Sequence, residues 1–393
     1  MIRHLFKLIW NRKKSNFLLI TEIFFSFMVL FAVLSFVVHN VRNYTKPLGF
    51  THDNVWLLSM RPSSDSAALN RQNLEQVLQR LKSYPEVANI SLTSNNAPFS
   101  FSITSNAMTY GQVKDVQADY YEVQDDFQEL MQVPLKVGRW FGPQDDASNH
   151  EPIVINQQLQ EKLFGNEPAI GKLIPITDSS SYQVIGITEY FRGAGEFASD
   201  APAMLTRINF AKRQDKFWES LLIKVKPGIG VAFEERMVKD ISGITGDWNL
   251  EVSMLEKMRK AKAKVTLVPM LGLGFVCAFL ILNVALGLFG VLWYNISRRN
   301  SEIGLRRALG AAASQVYWQF IGEVLVLATF GLLLGVFFAA QFPLLEVFQV
   351  DTEVYLIALF SAVFLIYLLT AACAFYPSRQ AAAVQPAVAL HEE

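Results

Sequence analysis

Few residue constellations in this chain have the types and spacing for covalent chemistry. GNEPAIGKL at 165–173 has the outline of a phosphate-binding loop. It carries one residue too many between its glycines, and Leu173 follows Lys172 where a magnesium-binding Ser or Thr is required. It reads as a turn. There is no G-x-S-x-G and no H-E-x-x-H. Asp125 and Asp126 are adjacent, so on a strand they point to opposite faces and form no acid–base pair; a solvated loop is the better reading. His4, His39, His52, His150 and His391 are scattered without the spacing of a metal site. Cys277 and Cys373 lie in apolar stretches and the polar middle of the chain has no cysteine, so no disulfide framework holds it. Neither a catalytic residue nor a directly bound cofactor or metal is expected.

One stretch has the residues for recognition instead, NISRRNSEIGLRRALGAAAS at 295–314. Asn300 or Ser301 can cap a helix, and Glu302 suits the positive end of its dipole. Leu305, Ala308, Leu309 and Ala312 recur at helical spacing as a narrow apolar stripe, with Arg306 and Arg307 to its sides. Gly310 can end the helix in a left-handed conformation, and Ser314 can cap the next one. Physical chemistry alone leaves two readings of this basic amphipathic helix, a membrane-surface anchor or a handle gripped by a soluble partner.

The elements around it decide where that handle sits. The chain has 393 residues, 51% of them hydrophobic and 18% charged, which suggests membrane segments plus a soluble part. Net charge is zero and points to no nucleic-acid partner. Apolar runs at 17–38, 265–294, 315–340 and 354–376 are each long enough to span a bilayer and face lipid. The first is too long for the apolar core of a signal peptide and lacks a cleavage site after it. The basic segment 1–16 and the basic loop 295–314 contrast with 341–353, which holds Glu346, Asp351 and Glu353 but no Lys or Arg. The positive-inside rule therefore puts both termini, including the tail 377–393, and the basic loop in the cytoplasm. Residues 39–264 lie outside.

The expected fold is an α-helical membrane protein with four transmembrane helices and a large α+β, two-lobed extracytoplasmic domain between helices 1 and 2. Strand-like runs at 54–60, 87–92, 134–139, 152–155, 172–176, 182–187, 221–225 and 248–252 alternate with helical patterns carrying Leu74, Val77, Leu78 and Leu81, then 156–164 stopped by Gly165, then 231–241. The middle lobe is inserted in the first, with boundaries near Gly111 and Arg207. Residues 254–264 are basic and helix-prone, and should run into the second span as a stalk. Inside the membrane, Glu22 and Glu323 are expected to form ion pairs with cytoplasmic-side Lys or Arg. Gly331 and Gly335 make a G-x-x-x-G pair for close helix packing, either within the bundle or between two copies.

The segment RRNSEIGLRRALGA resembles the coupling region of the MacB/FtsX family of ABC-transporter permeases, in Arg299, Glu302, Ile303, Gly304, Arg306 or Arg307, Ala308, Gly310 and Ala311. YPSRQAAAVQPAVAL from Tyr376 is similar to the closing motif of that family. Gly138-Arg139-Trp140-Phe141, Leu163-Phe164-Gly165, Ile170-Gly171-Lys172 and Val184-Ile185-Gly186 resemble recurring pieces of MacB-type periplasmic domains. The resemblance implies a bacterial inner-membrane permease that pairs as a homo- or heterodimer with two cytoplasmic ABC ATPase subunits. ATP and magnesium would be bound in the ATPase. Its motion would pass to the external domain (mechanotransmission) and export a drug, peptide or lipid-like substrate, with a periplasmic adaptor and an outer-membrane duct as further partners. No ATPase domain is fused here, unlike in MacB itself, so the ATPase is expected to be a separate chain. Ile303, Leu305 and Leu309 would supply the grip, Arg306 or Arg307 the charge match, and Gly310 the abrupt turn, with Arg299, Glu302 and Gly304 completing the expected ATPase-coupling set. Alternatives within the superfamily are a lipoprotein-releasing permease of the Lol type and an FtsX-like regulator of an external cell-wall hydrolase.

Overall fold

The structure is a computed structural model describing residues 13–382, apart from 64–65, 178–179, 211–216, 299–302, 304, 307 and 346–349. It divides into two compact units. One comprises the described residues up to Val41 and from Val268 onward, and the other is Arg42–Leu267.

The first unit is helical. Its helices are α1 (Lys13–Thr45), α6 (Leu255–Ser297), α7 (Ala313–Ala339), the short α8 (Gln341–Leu344) and α9 (Thr352–Ala382). Four of these are long and apolar enough to cross a membrane. Their common core includes Leu19, Ile23, Phe27 and Phe31 of α1, Val284 and Leu288 of α6, Leu327, Ala328 and Leu332 of α7, and Tyr355, Ala358 and Ile366 of α9. The G-x-x-x-G pair packs on α1. A Cβ on Gly331 would come within 2.8 Å of Ile23 Cγ2 and 3.0 Å of the Ile20 carbonyl, and one on Gly335 would strike the Phe27 ring. Gly272, Gly274 and Gly290 of α6 face open space, as does most of that helix. The expected stalk and second span are one helix of 43 residues.

The second unit is built on an eleven-stranded mixed sheet between the first and second membrane helices. Its strands are β1 (Val55–Arg61), β2 (Val87–Thr93), β3 (Ser105–Tyr110), β4 (Val113–Val123), β5 (Leu135–Gly138), β6 (Glu151–Asn156), β7 (Leu173–Thr177), β8 (Ser180–Thr188), β9 (Ala203–Arg207), β10 (Ser220–Val225) and β11 (Asn249–Met254). The order is β11-β1-β10-β2-β4-β9-β6-β8-β5, with β3 on β4 and β7 on β8. Helices α2 (Ala67–Lys82) and α5 (Val231–Thr245) cover the β1/β2/β10/β11 lobe, burying Leu74, Val77, Leu81, Phe233, Met237 and Ile241. The inserted lobe carries α3 (Phe127–Met131) and α4 (Gln157–Phe164). Ser66 caps α2, and Asn156 caps α4 by accepting from the Leu159 N–H at 3.0 Å. In the β2–β4 ladder the lobes are paired through one residue pair, Thr93 with Val123, and they share a core in which Val55, Leu57 and Leu222 meet Tyr121, Val154 and Leu205. The inserted lobe begins before β3, so Gly111 is not its boundary. Gly111 is instead the positive-φ turn of the β3–β4 hairpin.

The motif pieces quoted for the external domain converge on β8. Gly138 pairs with Gly186, a Cβ on Gly138 would strike the Ile185 carbonyl, and one on Gly186 the Arg139 carbonyl. Trp140 and Phe141 enter the central core with Ile185. The phosphate-loop lookalike is a turn, its Lys172 ammonium 2.8 Å from Glu167. Asp125 is not simply solvated: Arg207 donates to both its oxygens at 2.7 and 2.8 Å and reaches Asp146 at 2.5 Å. β3, β4, β9 and α3 are elements that the sequence pattern did not announce.

Candidate functional site

The basic loop is rooted in α7. The Ala312 N–H donates to Gln315 Oε1 at 3.2 Å, so Ala312 rather than Ser314 is the cap of that helix. Arg306 Nη1 donates to Gln319 Oε1 at 3.0 Å, and Gln319 Nε2 donates to Glu323 Oε1 at 3.3 Å. A polar relay thus links the loop to the acid inside the third span. Gly310 has φ +96°, and the Ala311 N–H donates to the Arg306 carbonyl at 3.0 Å. This six-to-one bond is the Schellman closure that favours glycine at the left-handed position.

Ile303 is buried against Val316 and Phe320, so it pins the loop to α7 instead of gripping a partner. Leu305 and Leu309 are 51% and 79% exposed, which leaves the apolar stripe turned outward. Arg299, Glu302, Gly304 and Arg307 lie outside the described residues. Among the described residues Glu22 forms no ion pair; its carboxylate rests against Gly287, where a Cβ would strike it.

A second cluster, which sequence reasoning missed, lies in the sheet unit. Arg192 is almost fully buried in the loop after β8. Its Nη1 donates to the carbonyls of Asn43 and Lys46 at 2.9 and 3.1 Å, and its Nη2 to those of Glu196 and Ala198 at 2.7 and 2.6 Å. Its Nε lies 3.1 Å from Asp200, which also meets Lys46 at 2.5 Å. Burial pushes the Arg192 pKa down, and Asp200 and Glu196 counter this only in part. Glu196 pairs in turn with Arg259, while Lys262 donates to the Ser100 carbonyl at 2.7 Å. The 192–200 loop therefore clasps the end of α1 and the start of α6. The available signal was an arginine among glycines: Gly193 lies so close to the Tyr121 hydroxyl that a Cβ there would strike it. Nearby, burial and then Arg259 push the His52 imidazole below its usual range. These groups hold the 192–200 loop to both helices. None is arranged to attack a bond.

Comparison with known proteins places the chain. The MacB-like periplasmic core domain model matches residues 17–239, more than half of it, and the FtsX-like permease C-terminal model matches residues 274–386. The chain belongs to the MacB/FtsX family of ABC-transporter permeases. It is a permease-type subunit and a multi-pass inner-membrane protein. It is 26% identical over 282 residues to the macrolide export ATP-binding/permease protein MacB of Wolinella succinogenes, covering 68% of this chain and 42% of that one. It is 27% identical over 274 residues to the pyoverdine export ATP-binding/permease protein PvdT of Pseudomonas aeruginosa, covering 67% and 41%. The chain thus spans less than half the length of these relatives. The crystal structure of the periplasmic region of MacB from Actinobacillus actinomycetemcomitans aligns with a TM-score of 0.38 and 13% identity, over 56% of this chain and 95% of that one.

Proposed function

We propose that the chain works with an ABC ATPase on the cytoplasmic side, converting ATP-driven motion into movement of its external domain and so exporting a drug, peptide or lipid-like substrate. Both termini and the 295–314 loop face the cytoplasm in this reading, as the basic residues of 1–16 and 295–314 favour. The observation that carries it is the loop itself. Exposed Leu305 and Leu309 offer a partner an apolar surface, while Arg306, Gln319 and Glu323 tie that surface into the third span. A loop built only to lie on lipid has no need of a polar link into the bilayer. The printed names of the relatives, macrolide and pyoverdine exporters, support export as the outcome. The permease pairs with a second copy or a homologue, and two ATPase subunits bind ATP and magnesium.

Charge reversal of Arg306 and Arg307 together (R306E/R307E) tests this. Rim charge pairs contribute about 1 kcal/mol each, and reversal adds repulsion, so affinity for the ATPase should fall by at least about tenfold. Pull-down of the ATPase by the purified permease and stimulation of ATP hydrolysis are the readouts. Unchanged pull-down together with unchanged stimulation would overturn the assignment. Lys260→Glu, in the sheet unit, should leave both alone.

A further inference from the structure

The first turns of α6 divide their charges between two faces. Leu255 is buried in the central core of the sheet unit, and Met258 packs against it. On the same side Arg259 pairs with Glu196, and Lys262 donates to the Ser100 carbonyl at 2.7 Å. Two of the five basic residues between 254 and 264 thus hold the helix to the sheet unit. The other three, Lys257, Lys260 and Lys264, are exposed. At about 100° per residue they fall within an arc of about 60°, opposite Arg259 and Lys262. Glu256 is the acid of this stretch and lies 2.6 Å from Lys260. Both side chains are more than half exposed, so the pair is weak and the arc stays cationic.

The arc sits where the helix leaves the bilayer. α6 runs without a break into the apolar stretch 265–294. At about 1.5 Å per residue, Lys264 and Lys257 are about 10 Å apart along the axis. The head-group layer of one leaflet is roughly 5–8 Å deep, and flexible lysine stems extend the reach into it. Farther along the same helix Val268, Leu271 and Phe275 keep to the arc and are exposed. One helix face therefore passes from cationic to apolar, the complement of a lipid that passes from anionic head to acyl chain. A second copy in the same membrane orientation, pairing along this face, would set lysines against lysines. Leu273 and Val276, also exposed, lie outside the arc and leave other faces of α6 for helix pairing. An acidic protein segment would match the lysines and not the apolar continuation.

We propose that this face of α6 binds anionic phospholipid, with Lys257, Lys260 and Lys264 on the phosphate-bearing head group. The inference needs only that α6 crosses the membrane, and it stands or falls separately from the transport reading. Fluorescence quenching in nanodiscs tests it, on the full-length protein with Cys277→Ala, Cys373→Ala and a bimane-labelled Val268→Cys. The discs hold phosphatidylcholine with a minor fraction of phosphatidylglycerol, and an equal amount of brominated chains is carried on one lipid or the other. Brominated phosphatidylglycerol should quench at least about threefold more than brominated phosphatidylcholine, because several lysines beside an anionic lipid enrich it severalfold. K257Q/K260Q/K264Q should bring the two lipids close to parity. The same label placed by Leu286→Cys, toward the other end of the span, should not respond to the triple substitution, which separates a local site from a general change in the protein. Equal quenching by the two lipids with the lysines intact overturns the proposal, as does a preference for phosphatidylglycerol that survives the triple substitution. Protection of the Val268→Cys label from both lipids would assign the face to a second copy and overturn it as well.

Discussion

Arg139 illustrates how a family motif residue orders a neighbouring carboxylate. Its two terminal nitrogens donate to Asp145 at 2.8 and 2.6 Å, and the Gly142 N–H adds a third bond to that carboxylate at 3.0 Å. Burial alone would push the Asp145 carboxyl up, but the bonds from Arg139 and Gly142 outweigh it and hold the carboxyl below the usual carboxylate range. The folded pKa is thus lower than the unfolded one. The stability contributed is fully present above the unfolded value, near 4, and is lost as pH falls through the folded value. Asp145→Asn should therefore cost about 1 kcal/mol at neutral pH, a modest figure because Arg139 is half exposed. The gap between variant and wild type should close as pH drops below about 4. Thermal unfolding in detergent at the two pH values measures it, and a gap of the same size at both would refute the role given to the pair.

Among the elements, the α1–α7 seam gives the sharpest contrast. Gly335 lies under Phe27 and Gly331 under Ile23, whereas Gly274 on α6 meets nothing within 4 Å. Gly335→Leu must displace an aromatic ring in a packed core, at a cost of about 1–3 kcal/mol. Gly274→Leu should leave the unfolding temperature unchanged. Equal melting of the two variants would show that the seam is not where the structure puts it. The G-x-x-x-G spacing announced close packing but not the partner helix, because small residues license approach from any side. The same limit runs through the fold. The membrane helices were legible because length and apolarity are local properties, and α2 because Leu74, Val77 and Leu81 repeat at helical spacing. The β3–β4 hairpin was not, since its strands, SNAMTY and VKDVQADYYEV, mix polar and apolar residues without a regular alternation, and only part of each is buried. In the 295–314 loop the sequence pattern found the stripe and the Gly310 turn. It assigned Ile303 to the wrong side, because a single apolar residue at the edge of a stripe can face either way until Val316 and Phe320 are placed. The Arg192 clasp stayed hidden because two of its acceptors are main-chain carbonyls of residues about 150 positions earlier in the chain.

At the scale of the whole molecule, α1 and α6 are the two elements that belong to both units, α1 crossing at residues 41–42 and α6 at 267–268. In the proposed mechanism, force from the spans would reach the sheet unit along these two helices. Arg192 sits where that force would be received: it satisfies carbonyls at the end of α1, and through Glu196 its loop holds Arg259 of α6. Arg192→Met keeps the bulk of the side chain and removes every donor. It leaves Asp200 with Lys46 alone and deprives four carbonyls of their shared donor, at a cost of about 3 kcal/mol, or a melting shift on the order of 10 °C. Loss of stability alone would not establish a transmitting role, so the informative readout is the separation of binding from output. An Arg192→Met permease should still pull down the ATPase, since the loop around Arg306 is untouched, yet fail to respond externally to ATP. Limited proteolysis of the 192–200 loop, compared with and without ATP in the assembled complex, reports that response. ATP-dependent protection in the wild type that disappears in the variant, with ATPase binding intact, is the expected result. Protection that persists in Arg192→Met would mean that force enters the sheet unit by another route.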